Sequence, residues 1–319
     1  MSSPTASNRT LIIALLANLG IAIAKFIAAG ITGSSAMLTE GIHSVVDSTN
    51  QLLLMWGRRQ SRKPPDKRHP MGYGRELYFW SFVVAVLVFA LGAGVSVYEG
   101  ILHIQRPEKA VSPIVAYVVL GIAFLLEGWS TLEAFNEFKV AKGRLGWIEA
   151  IRRSKDPPSF IVLLENGAAM VGIVVAALGV FLAHWTHNPF FDGAASVVIG
   201  IVLGLTALLL AYESKGLLIG EAADPDLVRA LRKLACSKDG VVGVGHVLTV
   251  HSSPEIITAM INVDFDDSIT AADVERIVCE LETETAARFP HVRRLFIRPM
   301  QGAADEVKKL GAAAELAPV

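Results

Sequence analysis

Charge and cysteine are both scarce in this chain. Of 319 residues, 18% are charged, two are cysteine, and the formal net charge is −1. A balance so near zero provides no electrostatic footprint for a nucleic-acid partner. Cys236 and Cys279 are too few and too far apart for a disulfide scaffold or a thiolate metal site, and are expected to be buried free thiols. No Walker loop, dinucleotide fingerprint or nucleophile with its base is present, so neither an enzyme nor an organic cofactor is expected. The opening MSSPTASNRT lacks a signal-peptide layout, because the apolar run after it is too long for an h-region.

What the chain has in abundance is apolar surface. Hydrophobic residues make up 52% of it and the mean hydropathy is +0.48, which places it among membrane proteins. A spanning helix needs about 20 apolar residues. Six stretches qualify: Leu11–Ile31, Ser35–Gly57, Leu77–Tyr98, Ile114–Phe135, Phe160–Trp185 and Phe191–Tyr212. The loop between the second and third carries Arg58, Arg59, Arg62, Lys63, Lys67 and Arg68, and the fourth-to-fifth loop is similarly basic. The fifth-to-sixth loop, residues 184–189, has no Lys or Arg. By the positive-inside rule both termini are expected to be cytoplasmic.

From about residue 222 the pattern changes. ADPDLVRALRKLACS has helical periodicity, with Asp224 and Pro225 as its cap and first turn. VVGVGHVLTVHS and EIITAMINVDFD alternate like strands, ITAADVERIVCELETETAARF reads as an amphipathic helix capped by Thr270, and VRRLFIRPM as a last strand. The order α-β-β-α-β suggests a two-layer α+β domain of ferredoxin-like type. The expected organisation is therefore an N-terminal cytoplasmic segment (1–10), an all-α six-helix membrane domain (11–215), a cytoplasmic α+β domain (222–300) and a poorly ordered tail (301–319).

The second apolar stretch contains TEGIHSVVDSTNQ. There Glu40, His43, Asp47 and Asn50 fall within roughly 80° of one another on one helix face. An ionisable group at mid-bilayer costs about 3 kcal/mol on insertion scales, so such groups usually face a protein interior or a wet cavity. His43 and Asp47 are one turn apart, and a nitrogen and an oxygen donor can converge on one ion. That mixed set suits Zn²⁺ or another first-row divalent cation; a hydrogen-bonded cluster joining helices is the alternative. In the fifth stretch, FIVLLENGAAMVG holds Glu165 and Asn166, which point about 100° apart on a helix. One of them is expected to face the site and the other a neighbouring helix or water. Lys25 and Glu127 could pair, snorkel or serve a proton path. Asp192 reads as the N-terminal acid of the sixth helix, and His103, His184 and His187 as solvated loop residues.

Taken together, GSSAMLTEGIHSVVDS, DKRHPMGYGRE, ESKGLLIGE and the α-β-β-α-β segment resemble the cation diffusion facilitators over nearly the whole chain. The resemblance implies a homodimeric antiporter in the lipid bilayer, exchanging cytoplasmic divalent metal for protons. It implies zinc first, with Mn²⁺, Co²⁺ or Fe²⁺ also fitting. The family's two ligands in the second helix match His43 and Asp47. In the fifth helix Asn166 stands where the family has Asp, and Val162 where many members have His. The site then rests on His43 and Asp47 with Glu165, Asn166 or Glu40, and Asn50 in support. An Asn offers a carbonyl oxygen but no charge. A second family site matches at Asp66 and His69, with Tyr73 in place of a later His. Of the family's cytoplasmic zinc ligands only His246 matches; Asn262, Phe296 and Arg298 occupy the other positions, which implies a dimerisation module with little or no metal. Short loops and the opening sequence suggest a bacterial inner membrane. The competing reading is a non-transporting dimeric scaffold or metal sensor with a degraded site, and a passive channel fits less well.

Overall fold

The computed structural model describes residues 8–106, 113–143 and 145–302, with side chains from residue 18 onward. Residues 1–7 of the expected N-terminal segment and 303–319 of the expected tail lie outside the described residues. The chain divides into two compact units. One takes the chain up to Lys63 together with Glu76–Lys215; the other takes Pro64–Arg75 and the chain from Gly216.

The first unit is helical. Its long elements are α1 (Asn8–Thr32), α2 (Ser35–Ser61), α3 (Glu76–Leu87), α4 (Val95–Gln105), α5 (Pro113–Lys142), α7 (Pro157–Thr186) and α8 (Phe190–Ile219). Between α3 and α4 the helix continues through a π-helical stretch, Val88–Gly94, where the Ser96 hydroxyl donates back to the Gly92 carbonyl. Such wide turns leave carbonyls without their usual partner, and a side-chain hydroxyl is one way to satisfy them. A short α6 (Trp147–Arg153) occupies the basic loop before α7, where no element was expected. Several helices also run past their apolar stretches, α5 to Lys142 and α8 to Ile219.

Among the described residues, four helical segments are long and apolar enough to cross a membrane: Glu76–Gln105, Pro113–Lys142, Pro157–Thr186 and Phe190–Ile219. Asn18–Thr32 is a shorter apolar helix. The polar stripe of α2 and its terminal arginines keep it below that standard, although the stretch Ser35–Gly57 within it is expected from sequence to span. The outward faces are as apolar as the interior: Leu125 is 72% exposed, Tyr212 70% and Leu205 64%. Apolar surface of this kind around apolar helices belongs in lipid, and the chain is an integral membrane protein. Without a hydrophobic force between helices in lipid, small residues allow the close approach that holds them. The core accordingly collects Ala28, Ala36, Ala93, Ala116, Ala123, Ala168 and Ala176 around Met37, Leu120, Ile173 and Ile199. At the crossing of α4 and α8, a Cβ on Gly100 would lie 2.8 Å from the Gly193 carbonyl oxygen, so only glycine fits there.

The second unit has the expected order: α9 (Pro225–Cys236), β1 (Val241–Ser253), β2 (Ile256–Phe265), α10 (Ala271–Arg288) and β3 (Val292–Pro299). The sheet order is β1-β2-β3, β1 and β2 antiparallel and β2 and β3 parallel. Asp224 caps α9 by accepting from the Asp226 N–H with Pro225 following, and Thr270 forms a capping box with Asp273 on α10. Ile257, Ala259, Ile261 and Val263 alternate along β2 into a core shared with Leu231, Leu234, Ile277 and Leu281. Both cysteines are exposed, contrary to expectation. Cys236 ends α9 after Leu234 and Ala235 have taken the inward positions, and Cys279 lies between the inward-facing Ile277 and Leu281. His103 is likewise in α4 rather than in a loop.

Candidate cation site in the helical unit

The site is built on α2, and α2 is fixed at its first turn. Ser34 is the N-cap, accepting from the Met37 N–H. Its hydroxyl donates to Asp192 Oδ1 at 2.6 Å, and the Ser35 N–H donates to Asp192 Oδ2 at 2.6 Å. The N–H of Ala36 adds a longer bond of 3.3 Å to the same oxygen. Asp192 lies in the first turn of α8, so an acid of one helix caps another. A carboxylate there meets orphan N–H groups and the positive end of the α2 dipole. His103 Nε2 stands 3.6 Å from Asp192 Oδ2, which corrects its expected solvation. His184 and His187 are exposed, and both line a cavity of about 310 Å³ with His103 and Asp192.

One to four turns further along α2 lie the four polar residues. Glu40 and Asn50 are fully buried and His43 is 1% exposed. His43 Nδ1 and Asp47 Oδ1 are 3.4 Å apart without hydrogen-bond alignment, and neither imidazole nitrogen has a hydrogen-bond partner. Asn50 Nδ2 donates to Glu165 Oε1 at 2.8 Å, tying α2 to α7. Asn166 instead donates from Nδ2 to Ser130 Oγ on α5 at 3.1 Å. The adjacent pair thus divides, Glu165 towards α2 and Asn166 towards α5, as the 100° separation requires.

Glu40 serves a second network. Lys25 Nζ on α1 donates to Glu40 Oε2 at 3.0 Å, Ser44 Oγ at 2.9 Å and Glu127 Oε1 at 2.8 Å. Gly172 on α7 makes room for Glu40, because a Cβ there would overlap Glu40 Oε1. Beside this network is a cavity of about 40 Å³, with Asp47, Glu127, Val162, Glu165 and Asn166 on its wall and Asn18, Ser44, Gln51 and Ser130 among its other polar groups. That volume accommodates a water or a bare ion. Its donors are carboxylates, amides and hydroxyls, with the His43 imidazole next to Asp47. Glu40, His43 and Asn50 stand behind the wall rather than on it. Among the described residues no three His, Cys, Asp or Glu side chains converge tightly enough to grip a metal. Lys25 and Glu127 were visible in the sequence as intramembrane charges of opposite sign; that Glu40 joins them was not.

The other two sets of positions lie in the second unit. Asp66 Oδ1 accepts from the N–H groups of Arg68 at 2.9 Å and His69 at 2.6 Å, and Oδ2 accepts from the Tyr73 hydroxyl at 2.7 Å. His69 Nδ1 is 3.7 Å from Asp66 Oδ1, and its ring packs against Tyr73 with centroids 4.3 Å apart. The Tyr73 hydroxyl and the His69 N–H hold the Asp66 carboxyl below its ordinary value of 3.8. On the sheet, His246 Nε2 is buried without a hydrogen-bond partner, while Asn262 is in register with Arg298 and Met260 with Phe296.

Known proteins resemble this chain in sequence. A zinc antiporter of Xenopus laevis, "Proton-coupled zinc antiporter SLC30A9, mitochondrial", is 35% identical over 248 residues, covering 77% of this chain and 44% of its own length. "Metal tolerance protein C4" of Arabidopsis thaliana is 35% identical over 231 residues, 72% of this chain and 50% of that protein. The chain therefore spans about half the length of these relatives. "Manganese efflux system protein MneP" of Bacillus subtilis is 22% identical over 293 residues, 91% of this chain and 95% of its own. The antiporter and the efflux protein are transporters, not enzymes. The family described as the cation efflux transmembrane domain matches residues 11–219, and the chain belongs to that family, the cation diffusion facilitators.

Proposed function

We propose that this protein exports a divalent cation by exchanging it for protons, with zinc as the first candidate and Mn²⁺, Co²⁺ and Fe²⁺ as alternatives. The observation that carries the reading is the α2 pair. An imidazole and a carboxylate lie one turn apart, the imidazole buried with both ring nitrogens unpartnered and the carboxylate of Asp47 on the wall of a cavity it shares with Glu165 and Asn166. A cation entering from the cytoplasm binds His43 and Asp47 and is completed by Glu165 or the Asn166 carbonyl, with Glu40 and Asn50 supporting the helix face. Binding needs a neutral imidazole and ionised carboxylates, so protons and metal compete for the same groups. Asp47 and Glu165 share one low-dielectric pocket with no ammonium or guanidinium among the described residues bonded to either, so their like charges repel and a cation or protons must offset them. That competition is what couples the two fluxes.

The remaining features fit the same reading. All six long helical segments cross the bilayer, α1 and α2 included, with both termini in the cytoplasm and the bacterial plasma membrane as the setting. The second unit folds as a ferredoxin-like dimerisation module. Leu248, Met260 and Phe296 supply the apolar row for a homodimer contact: they follow one another in cross-strand register and are 57%, 40% and 51% exposed. Asp66 and His69 form at most a weak second cation site, because Tyr73 already occupies one Asp66 oxygen.

The test is metal uptake into proteoliposomes with internal pH recorded, run over a panel of Zn²⁺, Mn²⁺, Co²⁺ and Fe²⁺. Uptake with opposing proton movement is expected for the wild type, and its loss in His43→Ala and Asp47→Ala. Flux that survives both substitutions sinks the assignment. One observation favours a non-transporting scaffold or sensor instead: the Asn166 amide is turned to Ser130 and brings no charge to the cavity. That reading expects no metal-driven proton movement in the wild type and a gain in Asn166→Asp.

A further inference from the structure

We propose that Glu127, on α5, is a further cation-binding residue of the transport cavity, one that bridges Lys25 and the bound metal and biases the site towards oxygen-preferring cations. The inference rests on the transport reading above and adds a ligand from a helix that reading does not use.

Lys25 has three N–H groups, and each has an acceptor: Glu40, Ser44 and Glu127. Its hydrogen-bonding capacity is full. Its charge is not enough, because one ammonium faces two carboxylates and leaves one negative charge over. Burial decides where that surplus falls. Glu40 is completely buried and stays off the cavity wall, held between Lys25 and the space left by Gly172. Glu127 is on the wall with Asp47, Glu165 and Asn166. Its Oε1 is bonded to Lys25, while its Oε2 is buried without a hydrogen-bond partner. An unpartnered carboxylate oxygen inside a helix bundle is expensive to keep. A divalent cation in the cavity relieves that cost at Oε2 while Oε1 remains on Lys25, so the two roles are compatible in one side chain.

The chemistry follows from the donor set. Asp47, Glu165, Glu127 and the Asn166 side chain share the cavity wall, and a cation that draws them together meets four oxygen donors against the one imidazole behind that wall. Carboxylate and carbonyl oxygen suit Mn²⁺ relative to zinc, which gains more from imidazole. Glu127 is therefore a selectivity residue, and its effect must differ between metals.

Initial-rate uptake of Mn²⁺ and Zn²⁺ into proteoliposomes is compared for wild type, Asp47→Ala, Glu127→Gln and the double variant Lys25→Gln/Glu40→Gln. Glu127→Gln keeps the volume and an acceptor for Lys25 but removes the charge. Its KM for Mn²⁺ is expected to rise about tenfold, the range seen when a supporting metal-site group is lost, with a smaller rise for Zn²⁺. The double variant removes one charge of each sign and frees Glu127 for the cation, so the KM for Mn²⁺ should fall. It also decides the matter if Glu127→Gln is not recovered folded. An unchanged KM, or a rise that is equal for both metals, overturns the role of Glu127, as does a double variant whose KM for Mn²⁺ fails to fall. Those results beside a dead Asp47→Ala remove Glu127 alone. Wild-type uptake by Asp47→Ala overturns the transport reading and this inference with it.

Discussion

The two units of this chain handle charge in opposite ways. In the second unit several charged side chains lie at the surface and pair within a helical turn: Arg276 with Glu280 at 2.9 Å, Arg288 with Glu284 at 3.1 Å, and Asp273 with the cap residue Thr270, while Lys238 reaches across to Glu280 and Glu284 on α10. In the helical unit Lys25, Glu40 and Glu165 are buried, and their partners come from other helices 15 to 115 residues away. Surface pairs of the first kind are worth up to about 1 kcal/mol. Buried pairs of the second kind are dangerous to break, because the partner left behind cannot reach water. The difference teaches where stability and function are concentrated. The largest effect is therefore expected at Lys25. Lys25→Met strands Glu40 and Glu127 together and should destabilise the helical unit by about 3–5 kcal/mol, read as a lowered thermal midpoint in detergent. Adding Glu40→Gln should recover part of the loss. A Lys25→Met midpoint equal to wild type breaks the comparison.

The cap at the start of α2 comes next. Asp192 accepts three hydrogen bonds, two of them from backbone N–H groups, and brings its charge to the positive end of a helix. Asp192→Ala leaves Ser34 as the cap but removes the cross-helix link, at about 1.5–3 kcal/mol for a charge-assisted bond. Because α2 carries His43 and Asp47, hydrogen exchange at the first turn of α2 is the sharper measurement. Faster exchange confined to residues 34–38 is expected, and exchange unchanged there removes Asp192 from this role.

Sequence and structure agree best where a single helix or strand decides the matter. The apolar stretches, the α-β-β-α-β order and the caps at Asp224 and Thr270 were all readable, because periodicity and capping act within a few residues. The stripe of Glu40, His43, Asp47 and Asn50 was readable for the same reason. Partner choice was not. Nothing in the spacing of α2 says that Glu40 turns to Lys25 while Asn50 turns to Glu165, since both depend on where α1 and α7 pack. Asp192 looked like the acid of its own helix, and its bonds to Ser34 and Ser35 span more than 150 residues. The apolar neighbours of the cysteines suggest burial, but those side chains face inward while the thiols do not. The π-helical stretch has no composition signal beyond Gly92 and Gly94, which also fit an ordinary helix in lipid.

The smallest effect lies at Asp66, where the second unit keeps an acid in the open. Its carboxyl sits below the ordinary 3.8 chiefly because Tyr73 donates to it, with the His69 N–H next. A depressed folded-state value means that the ionised form favours the ordered loop. The contribution is complete above the unfolded value of about 3.9 and disappears as pH falls through the lower folded value. Tyr73→Phe removes the largest cause, so the Asp66 carboxyl resonance should titrate closer to 3.8, with little change in the thermal midpoint of so exposed a group. The same resonance judges the weak second cation site. Added Zn²⁺ that shifts Asp66 and His69 together in wild type, and more strongly in Tyr73→Phe, makes this loop a metal site whose oxygen the tyrosine partly blocks. Resonances that stay in place in both proteins make Asp66 a turn-forming acid, and the charge chemistry of the molecule then belongs to the helical unit alone.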